Sequence, residues 1–211
     1  MTRQRIGLFG GTFDPVHFGH LRPALELRES LHLEVLRLLP CHLPAHRDQP
    51  GATSRQRIEM LELAVDGVDG LVVDPREAQR DTWSYTVDTL SGFHTENTSL
   101  ELIFFLGMDA FAKFTTWHRF EAILDLAHLV IIDRPGAEVG GEEERLLMSR
   151  QVDSLDSAPA PHGAILLQRV SQSDISATRI RELVAAGRDI RYLVPEAVYD
   201  YILENNLYRA A

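Results

Sequence analysis

Short apolar runs and amphipathic stretches take turns along this chain, at the two periods that separate strands from helices. "RIGLFG" (5–10) is a brief apolar run that ends in Gly10 and Gly11, the pattern of a buried strand. From about His20 to Leu33 the leucines 21, 25, 27 and 31 recur at roughly helical spacing. "EVLRLLP" (34–40) reads as the next strand, closed by Pro40, and "SRQRIEMLELAVD" (54–66) as a helix with Ile58, Leu61 and Val65 on one stripe. "GLVVDP" (70–75) is a strand and "YTVDTLSGFHTE" (85–96) a helix. "LELIFFLG" (100–107) is the strongest strand signal, followed by helical turns through Leu126. "HLVIIDRPG" (128–136) and "GAILLQRV" (163–170) complete six strands, and helices start near Ser176 and Pro195.

Strands alternating with helices predict a parallel sheet covered on both faces, because parallel neighbours need a crossover. The expected architecture is one α/β domain over 1–211, doubly wound, with a C-terminal helical segment at about 176–208. Residues 135–163, with "GGEEER" and "DSAPAPHG", read as an insertion carrying one short helix and a solvated acidic run. Ligands of such sheets sit beyond the carboxyl ends of the strands. The six polar clusters fall there: "GTFDPVHFGH", "CHLPAHR", "RDTWSYT", "GMD", "DRPG" and "SQSDISATRIR" each follow a strand.

Composition narrows the function. Hydrophobic residues make up 45% and charged residues 25%, the balance of a folded globular chain. Twenty-one basic against 31 acidic residues leave a net charge of −10. That disfavours nucleic acid and anionic membrane as partners, since their phosphates demand clustered Lys and Arg. No apolar run reaches a membrane span and no signal-peptide pattern opens the chain, so a cytoplasmic location is expected. Cys41 is the single cysteine and forms no internal disulfide. Cys41, His42 and His46 lack a fourth ligand at zinc spacing, so no metal site is assigned to protein side chains and Cys41 reads as a packing residue. A phosphate ligand would therefore depend on local arginines, backbone amides or a metal ion that it carries.

"HFGH" supplies the candidate chemistry. His17 and His20, three apart at a helix start, share one face. Free amides and the positive end of the helix dipole welcome an anion there, and Gly19 leaves room for a phosphate to approach. This suits phosphoryl or nucleotidyl transfer, where positioning and charge stabilisation dominate. Asp14, before Pro15, reads as a brace of the turn.

"GGTFDPVHFGH" with "ISATRIR" resembles the nucleotidyltransferase superfamily that bears the HxGH motif on a Rossmann-like fold. "PAHR", "SYTVDTL", "GMDAF…TTWH", "DRPG" and "VPEAVYDYI" extend the likeness, from about residue 6 to 208, to the bacterial nicotinate-nucleotide adenylyltransferases. The resemblance implies that the phosphate of nicotinate mononucleotide attacks the α-phosphorus of ATP, with magnesium, giving nicotinate adenine dinucleotide and pyrophosphate. It implies that His17 and His20 are the catalytic donors to the ATP phosphates and the leaving pyrophosphate. Gly10, Gly11 and Thr12 would wrap phosphate through backbone amides. Ser176, Thr178 and Arg181 would form a second phosphate cradle, although taken in isolation they read rather as an ordinary capped helix with a surface arginine. His46 and Arg47 would face phosphate, and Arg134 adenine or the ATP phosphates. Asp109 would accept from ribose hydroxyls. Trp117 would stack on the pyridine, or else face the core, and amides near Thr86 and His118 would hold its carboxylate. Departures are Ala177, Arg47 and His118, where the family commonly has serine, lysine and tyrosine. The alternatives are an enzyme for nicotinamide mononucleotide, another HxGH transferase, or a non-catalytic nucleotide sensor; a homo-oligomer is compatible with each.

Overall fold

The computed structural model describes residues 4–42, 50–80, 83–133, 139–171 and 173–209. Among them, strands β1 (Gln4–Gly11), β2 (Val35–Pro40), β3 (Leu71–Val73), β4 (Leu100–Gly107), β5 (Ala127–Ile132) and β6 (Ile165–Gln168) form one sheet. Helices α1 (Phe18–Ser30), α2 (Ser54–Val65), α3 (Thr86–Glu96), α4 (Met108–Phe111) and α5 (Phe120–Leu124) connect the first five strands. Helix α6 (Gly141–Arg150) lies between β5 and β6, and α7 (Ala177–Ala185) and α8 (Glu196–Glu204) follow the sheet.

The strand order is β3-β2-β1-β4-β5-β6 and every pairing is parallel. This is the doubly wound topology expected from the alternation. The winding reverses between β1 and β4, so the crevice for a ligand opens beyond their carboxyl ends.

Period-two packing builds both sides of the sheet. Leu102, Phe104 and Leu106 of β4 join the core under α3, with Val87, Leu90 and Phe93. Ile103 and Phe105 join the other core, with Leu21 and Leu27 of α1 and Met60 and Leu61 of α2. Burial on both faces is why β4 reads as an unbroken apolar run rather than an alternating one. Gly7 is required by close approach: a Cβ there would lie 2.7 Å from Leu33 and 2.8 Å from Phe105.

Four local readings change. Helix α2, opened by a Thr53–Gln56 capping box, buries Arg57, Met60, Leu61 and Val65, so its inner stripe is turned one residue from Ile58. Strand β5 spans Ala127–Ile132, short of the expected 136, and Pro195 is the N-cap of α8 rather than its first residue. The acidic run of α6 is not wholly solvated. Glu143 is buried and accepts from the Thr115 amide (3.2 Å) and hydroxyl (2.6 Å), which docks α6 on the 3₁₀ turn Phe114–Thr116. Those hydrogen bonds, Thr115's side chain first, pull the Glu143 carboxyl below its ordinary range.

Candidate active site

The loop after β1 is a tight platform. Phe13 takes a left-handed conformation (φ 50°), and a Cβ on Gly11 would strike its ring at 2.8 Å. The Asp14–Pro15 peptide is cis. His17 is the N-cap of α1, and its carbonyl receives the amides of His20 (2.8 Å) and Leu21 (3.2 Å). The two imidazoles stack with centroids 3.7 Å apart, and the Phe13 ring meets His20 edge-on at 5.1 Å. The sequence spacing therefore does bring the pair together, with His17 buried and His20 half-buried.

Gly19 is crowded by protein atoms: a Cβ there would lie 2.9 Å from the His17 ring and 3.1 Å from the Ile175 carbonyl. The opening amides of α1 are also partly engaged, since Phe18 donates to the Leu193 carbonyl at 3.1 Å.

The contact between Gly19 and Ile175 sets the start of α7 beside α1. Ser176 is the N-cap of α7 and accepts from the Arg179 amide at 3.2 Å, so the capped-helix reading holds for its lone pairs. Its O–H remains a donor by chemistry, as does that of exposed Thr178. Arg181 turns back under the first loop. Its Nη1 donates to the Asp14 carbonyl (2.7 Å) and stands 3.7 Å from the Asp14 carboxylate.

Asp14 is a hub. Its buried carboxylate accepts from the amides of Gly51 (2.7 Å) and Ala52 (3.1 Å) and from the Tyr208 hydroxyl (2.7 Å). The brace expected within one turn thus reaches the α2 approach and the C-terminal end of the chain. Burial and the Asp14 carboxylate hold the Tyr208 phenol well above its ordinary range.

Arg57, which sequence reasoning missed, lies below the same platform. It donates to the Thr12 carbonyl (2.6 Å), the His42 carbonyl (3.3 Å) and Ser54 Oγ (3.0 Å). A signal existed: an arginine in phase with Met60, Leu61 and Val65 on the inner face of an amphipathic helix.

Loops after β2 and β3 meet next. The Cys41 amide donates to the Gly11 carbonyl at 3.0 Å, and the His42 amide to Ser84 Oγ at 2.9 Å. Glu77, buried behind this junction, accepts from Thr89 Oγ1 at 2.8 Å. Burial raises its carboxyl, against hydrogen bonds from Thr89 and Ser84. At the far end, His118 lies tilted on Tyr85 with centroids 4.3 Å apart, beside Thr86 at the start of α3. Half-buried Trp117 packs on Phe104 and Phe114, at 6.3 and 5.5 Å between centroids, so one flank belongs to the core. Asp109 is exposed in the first turn of α4, beyond β4. His46, Arg47 and Arg134 lie outside the described residues. Among the described residues, no group of three or more His, Cys, Asp or Glu is placed to hold a metal ion, and no helix is long and apolar enough to cross a membrane.

A doubly wound parallel sheet with paired imidazoles at its switch point is the framework of a nucleotide-binding α/β enzyme. Comparison with known proteins specifies which. The cytidylyltransferase-like family model matches residues 8–183. Over 210 residues the chain is 48% identical to a protein of Pseudomonas aeruginosa, covering 98% of both. It is 48% identical to one of Cellvibrio japonicus, covering 98% of this chain and 100% of that one. Both carry the name "Probable nicotinate-nucleotide adenylyltransferase". The Plasmodium falciparum nicotinic acid mononucleotide adenylyltransferase complexed with NaAD shares the fold at TM-score 0.77 and 16% identity, over 97% of both chains. The chain belongs to the cytidylyltransferase-like family, in its nicotinate-nucleotide adenylyltransferase branch.

Proposed function

We propose that this protein transfers the adenylyl group of ATP to nicotinate mononucleotide, yielding nicotinate adenine dinucleotide and pyrophosphate for NAD biosynthesis. The observation that carries the reading is the 48% identity over 98% of the chain to proteins of that name. The stacked His17–His20 pair at the β1–β4 switch point supports it.

In the reaction a phosphate oxygen of the mononucleotide bonds to the α-phosphorus of ATP, and the bond from that phosphorus to the bridging oxygen breaks. Pyrophosphate leaves with the electron pair. No protein nucleophile is needed, because the incoming phosphate performs that part. His17 and His20 hydrogen-bond the phosphate oxygens and the charge growing on the leaving group, a contribution that counts most where it strengthens in the transition state. Ser176 and Thr178 offer hydroxyls from the start of α7, and Gly10, Gly11 and Thr12 line the approach. Thr86, Trp117 and His118 form the pyridine end, and Asp109 the ribose contact. Magnesium would be carried by the ATP phosphates as their counter-ion, because Mg²⁺ leans on substrate phosphates and keeps much of its water.

Pyrophosphate release from ATP plus either mononucleotide, acid or amide, tests the reading. Turnover with the acid at a clearly higher kcat/KM is expected. Preference for the amide would replace the acid reading, and no turnover with either would leave a nucleotide sensor.

A further inference from the structure

Arg57 has no surface exposure, yet none of the described carboxylates forms an ion pair with it. A buried guanidinium without a carboxylate is costly, and carbonyl dipoles offset that cost only in part. Its three hydrogen bonds join places that matter here: the Thr12 carbonyl in the loop after β1, the His42 carbonyl in the loop after β2, and Ser54 at the start of α2. Its Nε has no hydrogen-bond partner among the described residues. Of the buried carboxylates near it, Asp14 is taken up by Gly51, Ala52 and Tyr208, with Arg181 at 3.7 Å, and Glu77 accepts from Thr89.

We propose that Arg57 is a positioning residue for adenylyl transfer: a buried cation whose fork and charge set Thr12, after β1, and His42, after β2, beside the ATP polyphosphate. It touches no substrate, being fully enclosed. It acts through peptides. Pinning the Thr12 carbonyl fixes Phe13, whose ring edge abuts His20 at 5.1 Å, so the guanidinium holds the platform on which the second imidazole rests. Pinning the His42 carbonyl fixes the loop whose amide is tied to Ser84. The charge itself, ion-paired with none of the described carboxylates and screened little by water, favours a polyanion above Thr12 and His42. In a chain of net charge −10 such a local cation matters. The pyridine end, at Tyr85, Thr86 and Trp117, makes no described contact with Arg57 itself and is reached from it only through His42 and Ser84.

The proposal rests on the adenylyl-transfer reading, and steady-state kinetics separate the two. Wild-type turnover of ATP with nicotinate mononucleotide tests that reading; the Arg57 variants test this one, each checked for folding by circular dichroism. Arg57→Met should raise the KM for ATP and lower kcat, each by about tenfold or more, while the KM for nicotinate mononucleotide moves by less than about threefold. Arg57→Lys returns the charge without the planar fork. It should recover most of the ATP affinity and stay about five- to tenfold low in kcat. A purely structural brace would raise both Michaelis constants together, and that result overturns the proposal. Equal ATP defects in the Lys and Met variants, or wild-type kinetics in Arg57→Met, overturn it too. If Arg57→Met does not fold, Arg57→Lys decides alone: lowered kcat with an unmoved mononucleotide KM sustains the proposal, and any other profile overturns it.

Discussion

Single side chains show how few groups divide the chemistry from its support. His20 stands between Phe13 and His17, so its ring is held by packing before any ligand arrives. A charge-assisted hydrogen bond that forms chiefly in the transition state is worth roughly 1.5–3 kcal/mol, about 10- to 100-fold in rate. His20→Ala should therefore lower kcat by that factor while the KM for ATP changes by less than about threefold; a loss confined to ATP binding would contradict this role. His128, at the opposite end of the sheet, concerns stability. Burial, with lesser contributions from the Arg5 and His162 charges, lowers its pKa to about 4. Its Nδ1 accepts from the Ala164 amide at 3.2 Å, which fixes the neutral ring with Nε2 toward Glu101 at 3.6 Å. Because the unfolded imidazole binds a proton near pH 6.5 and the folded one near 4, stability falls as pH drops through that window, by about 3 kcal/mol in total. His128→Asn, which keeps an acceptor but does not titrate, should flatten this limb when chemical denaturation is followed from pH 6.5 to 4.5.

Elements place these groups and limit them. Helix α1 carries both imidazoles because its N-cap is His17 itself, so the motif and the helix start coincide. Helix α7 contributes its first turn, and the Ser176 cap that orders that turn also leaves a hydroxyl proton available. On the proposed function, the turn that ends in Trp117 would couple binding to packing, since the indole rests on Phe104 and Phe114 while staying half-exposed. Trp117→Ala should raise the KM for nicotinate mononucleotide about tenfold, leave that for ATP nearly unchanged and lower the melting temperature by several degrees. Kinetics and a thermal melt on the same preparation check both halves.

The chain as a unit closes the site from its far end. Tyr208 donates to Asp14 across 194 positions of sequence, and Arg181 binds the Asp14 carbonyl across 167. Helices α7 and α8 are thereby tied to the loop before the histidines. Tyr208→Phe removes one donor from a buried carboxylate and should cost about 1–3 kcal/mol in denaturant unfolding. It should also raise the KM for ATP severalfold by loosening the platform, whereas an unaltered melt and unaltered kinetics would show that the C-terminal tie is dispensable.

The periodicity of the chain determined the six strands and their helical crossovers, because burial on two faces imposes a local pattern. The histidine pair was legible for the same reason, being spaced within one helical turn. The chain did not disclose that Arg57 lies beneath Thr12, that Asp14 answers to Tyr208, or that Glu143 leaves the solvent to grip Thr115. Nor did it disclose that Gly19 makes room for the His17 ring. Each of these is a polar or steric match made by folding, and a periodicity confined to one helix or strand carries no record of the partner. Hydrophobic spacing chose the frame; only three-dimensional closure chose which buried charges and hydroxyls stand beside one another, since their desolvation is offset solely by the neighbours that the fold supplies.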